Sequence, residues 1–153
     1  IIARTICSGK FLIIIGGSVS SISAALDAGS AAAEGYIVER LNIPNIDEQV
    51  FAALTGSVVI PAGANQAVGI VETFSATSII EAADAAAKSA DILLLRVHVC
   101  MAIGGKGFML LCGSVASVNM AVSAAVEQIK DSGMLVNHVV IPSASRELLK
   151  EYI

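Results

Sequence analysis

The chain carries three cysteines, Cys7, Cys100 and Cys112, and two histidines, His98 and His138. The cysteines are odd in number and far apart, so they make no disulfide framework, and a reducing compartment is the simpler setting. No pair stands at CxxC spacing, and neither histidine has a partner at metal-ligand spacing. Both histidines fall in runs expected to be strands and read as ordinary strand residues. Cys112 ends the apolar run FMLLC and reads as a small core residue. Cys100 opens a glycine-containing loop. Cys7 differs from both. It lies in RTICSGKFLIIIGG, in a short loop where Gly9 allows close backbone approach and Lys10 puts a cation near the thiol. One thiolate holds no metal cluster, but three copies around a threefold axis supply three.

Other chemical patterns are weaker. FLIIIGGSVSSISAAL has the strand, Gly-Gly, helix order of a nucleotide site, yet the full G-x-G-x-x-G is absent, so Gly16-Gly17 reads as a tight strand-to-helix turn. No G-x-S-x-G elbow exists, and no Ser, His and Asp set stands out. Asp47-Glu48 is placed at a helix start, where acids complement the dipole. Asp84 and Lys88 are spaced i,i+4 on one helix face, as in a plain surface ion pair.

The elements that must position these residues come from a chain of 153 residues with 56% hydrophobic residues, 14% charged residues and no Trp. No run reaches the ~18–20 apolar residues of a spanning helix. The apolar excess lies in short strand-length segments, and a small chain this apolar hides surface against other subunits. A net charge of −4 with scattered Lys and Arg and few aromatics argues against nucleic acid. In the second half, Gln66–Thr73, Asp91–Val99, Phe108–Cys112 and Leu135–Ile141 read as strands, the last stopped by Pro142. Ser75–Ser89 and Ser114–Lys130 read as helices with Ser caps, and Arg146–Tyr152 as a short terminal helix. The order βαββαβ predicts an α+β, ferredoxin-like sheet with helices on one face.

The same order recurs upstream. Gly105-Lys106 repeats Gly9-Lys10, and Gly113-Ser114-Val115 repeats Gly17-Ser18-Val19 at the same offset. Gly133-x-Leu135-Val136, ending in Ile141-Pro142, repeats Gly35-x-Ile37-Val38, ending in Ile43-Pro44. Upstream, Leu93–Arg96 matches Ile1–Arg4, which sets Val99 opposite Cys7. This is an internal duplication, with a first unit over 1–56, a linker over 57–65 and a second unit over 66–153. The first unit begins where the second has already completed a strand and a helix. About 27 residues equivalent to Gln66–Ile92 are missing from it, so a longer natural protein is expected.

With the duplicated unit laid out, the residues resemble a known family. QAVGIVETFSATSIIEAADAAAKSADILLLRV, AIGGKGFMLLCGSVASVNMAV and GMLVNHVVIP are similar to the bacterial microcompartment shell domain. Its pattern is a Gly-[IL]-[IVL]-Glu strand, an Ala-x-Asp-x-x-x-Lys helix, a glycine pore loop, a Gly-[DS]-Val helix start and a final Ile-Pro. Among tandem-domain members the chain most resembles the T-type of propanediol-utilisation compartments, whose first-domain loop reads Thr-Ile-Cys-Pro-Gly-Lys-Phe. Here that loop is Thr5–Phe11, with Ser8 in place of Pro.

The resemblance implies a structural shell protein rather than an enzyme, located in a compartment shell within the cytoplasm. It implies a homotrimeric pseudohexamer that packs against other shell proteins, without nucleic acid or membrane. It also implies a [4Fe–4S] cluster bound in the central pore through Cys7, exchanging electrons with luminal or cytosolic redox enzymes. Ser8, Gly9 and Lys10 of one loop and Ile103, Gly104, Gly105 and Lys106 of the other would line the pore, with Lys88 at the tile edge. Two alternatives stay open at this point: a metabolite-conducting tile without a cluster, and a ferredoxin-like ligand-sensing domain.

Overall fold

The computed structural model describes residues 1–60, 67–99, 104–145 and 147–148. Gln66, Cys100, Ile103 and most of the helix expected over 146–152 lie outside them.

The second half forms the expected α+β unit. To fix numbering, the first half supplies β1 (Ile2–Cys7), β2 (Lys10–Ile14), α1 (Val19–Ala32) and α2 (Glu48–Thr55). The second supplies β3 (Ala67–Thr73), α3 (Ala76–Ser89), β4 (Ile92–Val99), β5 (Gly107–Gly113), α4 (Val115–Ile129) and β6 (Leu135–Ile141). Its strands make one antiparallel sheet in the order β4-β5-β3-β6, the ferredoxin-like arrangement. Helices α1, α3 and α4 each begin where the sequence supplies a hydroxyl. Ser18, Ser75 and Ser114 accept the N–H of Ser21, Ser78 and Ser117, so the duplication reaches the cap geometry of α1 and α4.

One sheet face carries α3 and α4. Ala67, Val71, Met109 and Leu111 point into this layer and meet Ile79, Ala83, Val118 and Val122 in one buried cluster. The other face buries Val68, Leu95, Leu110 and Cys112 under Ile60, Ala144 and Leu148. In strand β4 the register shifts between Leu94 and Arg96. The bulge reverses the alternation, so Leu94, Val97 and Val99 are all buried in the helix-side cluster although their spacing breaks the two-residue period.

Two glycines set how closely the helices approach. A Cβ on Gly69 would stand 2.7 Å from Val122 Cγ2 and 2.9 Å from Leu111 Cδ1. One on Gly107 would stand 2.9 Å from Ile79 Cβ and 3.3 Å from the Ser75 carbonyl oxygen. The neighbours at Gly107 are a branch-point carbon and backbone, which cannot swing aside.

The first half differs from its repeat. Strands β1 and β2 form a separate two-stranded hairpin. Helix α1 buries no residue, whereas its counterpart α4 buries five. The strand expected over Ile37–Ile43 does not form. Its counterpart β6 exists by pairing with β3, and residues 1–56 hold no copy of β3 for this segment to pair with. The segment binds α3 instead. Glu39 accepts hydrogen bonds from Ser75 Oγ (2.7 Å) and Thr77 Oγ1 at the N-terminus of α3, where a carboxylate also meets the positive end of the dipole. Arg40 pairs with Asp27 of α1 at 2.7 Å. Helix α2 joins the helix layer of the second half against β4, burying Val50 and Ala53. Among the described residues no helix is long and apolar enough to cross a membrane.

Gly107→Ala forces β5 and α3 apart and is expected to cost about 1–3 kcal/mol, typical of overpacking. Urea unfolding checks this against Gly29→Ala, where a Cβ meets open space within α1 and little or no loss is expected.

Candidate functional site

The residues singled out in the sequence fall into two places. The first is the junction of the two glycine loops. Cys7 is the last residue of β1 rather than a loop residue, and it pairs across the hairpin with Lys10. Ser8 and Gly9 make the turn, and Gly9 has φ +77°, a left-handed value that a side chain would strain. Just before the turn the register shifts between Thr5 and Cys7. Ile6 is buried there, while Cys7 is left half-buried.

The second loop lies against this hairpin. A Cβ on Gly105, itself at φ +93°, would stand 3.1 Å from Lys10 Nζ. Arg4 of β1 reaches the Val99 carbonyl at 3.5 Å, so the hairpin is fastened to the end of β4 next to this loop. Gly104 also has positive φ, at +68°. Lys106 pairs with Glu72 at 3.3 Å and sits 5.6 Å from the centre of the Phe74 ring, a cation–π distance. Thus Cys7, Ser8, Gly9, Lys10, Gly104, Gly105 and Lys106 are gathered at one end of the molecule. Ile103 is outside the described residues.

The second place is Lys88. Its ammonium bonds Asp84 Oδ2 at 2.7 Å, as the i,i+4 spacing predicts. The pair is not the plain surface bridge expected, because Asp84 is only 8% exposed. Its other oxygen accepts the backbone N–H of Asp47 at 2.8 Å, at the head of α2. Asp47 in turn caps α2 by accepting the Gln49 N–H at 2.9 Å. Gln49 Oε1 then accepts the Leu94 N–H at 3.1 Å, covering an open donor at the β4 bulge. Sequence patterns missed the parts played by Asp47, Gln49 and Glu39. Two of these contacts involve a backbone N–H, which no residue type announces.

The other candidates are structural. His98 stacks on Phe108 with ring centres 4.9 Å apart. His138 lies on the edge strand β6. Cys112 is 1% exposed on the sheet face away from the helices. Burial pushes its thiol above the ordinary 9.0. Among the described residues no group of three or more His, Cys, Asp and Glu gathers to hold a metal. What Cys7 offers is one soft thiolate ligand at a surface turn, the donor type such clusters take, and it completes a set only where several chains converge.

The BMC domain profile matches residues 1–46 and 67–144. The chain belongs to the bacterial microcompartment shell family. It is 39% identical over 153 residues to the bacterial microcompartment shell protein PduT of Citrobacter freundii, covering 100% of this chain and 82% of that protein. It is 28% identical over 154 residues to the carboxysome assembly protein CcmO of Synechocystis sp., covering 92% of this chain and 51% of that protein. A crystal structure of a microcompartment protein from Desulfitobacterium hafniense DCB superposes with a TM-score of 0.80 at 39% identity, over 88% of this chain and 73% of that one. The protein is accordingly a structural component of a microcompartment shell and not an enzyme. Gly69, in the Gly69–Glu72 strand, and Gly107 are two positions where a Cβ would come within 3.0 Å of a helix side chain.

Cys112 sets a pH limit on the fold. In the unfolded chain its thiol ionises near the ordinary 9.0, while burial keeps it protonated in the folded protein. The folded state then binds more protons, so stability falls as pH rises above 9.0. Urea midpoints at pH 8 and pH 10 are expected to differ in wild type and to converge in Cys112→Ala, measured relative to that variant's own lower baseline.

Proposed function

We propose that the chain builds a trimeric, pseudohexameric shell tile, with units over 1–56 and 66–153 joined by a linker over 57–65. In this reading the two glycine loops of each chain surround a central pore, and Lys88 lies at the tile edge. Cys7 from each of three subunits binds one [4Fe–4S] cluster on the threefold axis. When bound, the cluster supplies one-electron transfer across the shell, at a potential set by exposure and nearby hydrogen bonds and charges.

The observation that carries this reading is the placement of Cys7. It is a half-buried thiol beside a surface turn, on a hairpin that Arg4 fastens to the end of β4 and that brings Lys10 beside Gly105. The chain's own duties follow from that placement. Gly9 makes the turn that ends β1 at the thiol, Ile6 anchors it in the core, and Lys10 sets a positive charge across the hairpin. A cation there favours an anionic group such as a thiolate-ligated cluster.

Anaerobic reconstitution tests the reading. A brown protein is expected, with broad absorption at about 400 nm and about four iron and four sulfide per three chains, the content of a single cubane. Cys7→Ser removes the colour, and Cys112→Ala retains it because that thiol is buried away from the turn. A colourless, iron-free wild type overturns the cluster and leaves a tile with a plain metabolite pore. Electron microscopy of concentrated protein separates both from a ligand-sensing domain, which forms small oligomers and no sheets.

A further inference from the structure

Among the described residues the Asp84 carboxylate is the one buried acid, and it touches both halves of the chain. Its Oδ1 accepts the Asp47 N–H at 2.8 Å and its Oδ2 accepts the Lys88 ammonium at 2.7 Å. Asp84 is 8% exposed, while the Lys88 side chain is 44% exposed. The buried end of this pair is held by the first half and its exposed end is the lysine.

We propose that Asp84 is a positioning residue for Lys88, and that through it the docking of α2 sets how the tile presents its edge. This rests on the reading of Lys88 as an edge contact. A carboxylate with both oxygens free turns about its last bond. Here one oxygen is fixed by a backbone N–H that cannot swing, so the other faces one direction. That N–H is itself fixed, because Asp47 begins α2 and α2 is held by buried Val50 and Ala53 and by the Gln49 bond to Leu94. Lysine has a long stem with many rotamers, and ordering it on contact costs binding free energy. Held by Asp84, the stem is ordered before a neighbouring tile arrives. An ammonium has three N–H donors, so donors remain for acceptors on that neighbour. Without α2 in place, Asp84 loses its fixed oxygen and Lys88 its orientation.

Asp84→Asn separates positioning from folding. The amide oxygen still accepts the Asp47 N–H, but the side chain no longer holds an ammonium. The concentration needed for sheet formation, read by light scattering and electron microscopy on the full chain, is expected to rise about three- to tenfold. The melting temperature should move little. Lys88→Ala is expected to impair assembly at least as much, and the double variant Asp84→Asn/Lys88→Ala to match Lys88→Ala alone. Asp47→Pro is the second variant, since Asp47 has φ −64°, a proline value; it deletes the N–H to Asp84 and also the cap on Gln49, so it is compared with Asp47→Ala, which removes the cap alone. Beyond the effect of Asp47→Ala, Asp47→Pro should weaken assembly when Lys88 is present and add nothing when Lys88 is Ala. If Lys88→Ala assembles like wild type, the edge reading falls. If Lys88→Ala is impaired but Asp84→Asn assembles normally, or adds a further defect to Lys88→Ala, the positioning role falls and the edge reading stands.

Discussion

A strand exists only if its backbone N–H and C=O groups find partners, and residues 1–56 provide just one pair of strands for that purpose. In the second half β3 sits between β5 and β6 and satisfies both. In the first half the matching place between β2 and the segment 37–43 is not filled. The segment therefore stays out of any ladder and turns its side chains to other uses. Glu39 meets the start of α3, and α2 completes the helix layer beside β4. Within residues 1–60 the first repeat thus meets the second through Glu39, through α2 and through the β1–β2 hairpin.

Contacts between the two halves fix exposed groups at two points. At one end Arg4 and Lys10 hold the hairpin against the second loop, so the turn bearing Cys7 is set by contacts between the halves. At the other, Asp84 joins the head of α2 to Lys88. In both cases a buried or backbone partner fixes an exposed group. A shell component requires this, because its work is done by groups meeting other chains, and such groups bind better when already ordered. Duplication also released one loop from the constraints of the other. Val99, the counterpart of Cys7 in the second repeat, is fully buried, whereas Cys7 reaches the surface at a shorter turn.

Much of this was legible in the residues. Apolar runs bounded by glycine, proline and serine marked β3, β5, α3, α4 and β6 to within a residue or two, because their burial periodicity and caps are local signals. The Ser-capped starts of α1 and α4 and the helix start at Asp47 were equally local. Family membership was legible too, since Gly69–Glu72, the Ala-x-Asp-x-x-x-Lys helix and the Ile141-Pro142 end keep their order along the chain. The Ile37–Ile43 segment misled because its residues suit a strand, and strand formation depends on a neighbour that the segment does not encode.

The sequence by itself determined the elements, the duplication and the identity of the loop thiol, because each depends on residue type and spacing along the chain. Only the tertiary structure decided which of these meet. It brought the Lys10 ammonium to Gly105, placed a bulge at Leu95 that reverses β4, and turned a helix-face ion pair into a joint between two repeats. Those contacts link groups 37 to 95 residues apart, several of them through backbone atoms. A backbone N–H is the same at every residue, so only the folded arrangement shows which one a side chain has found.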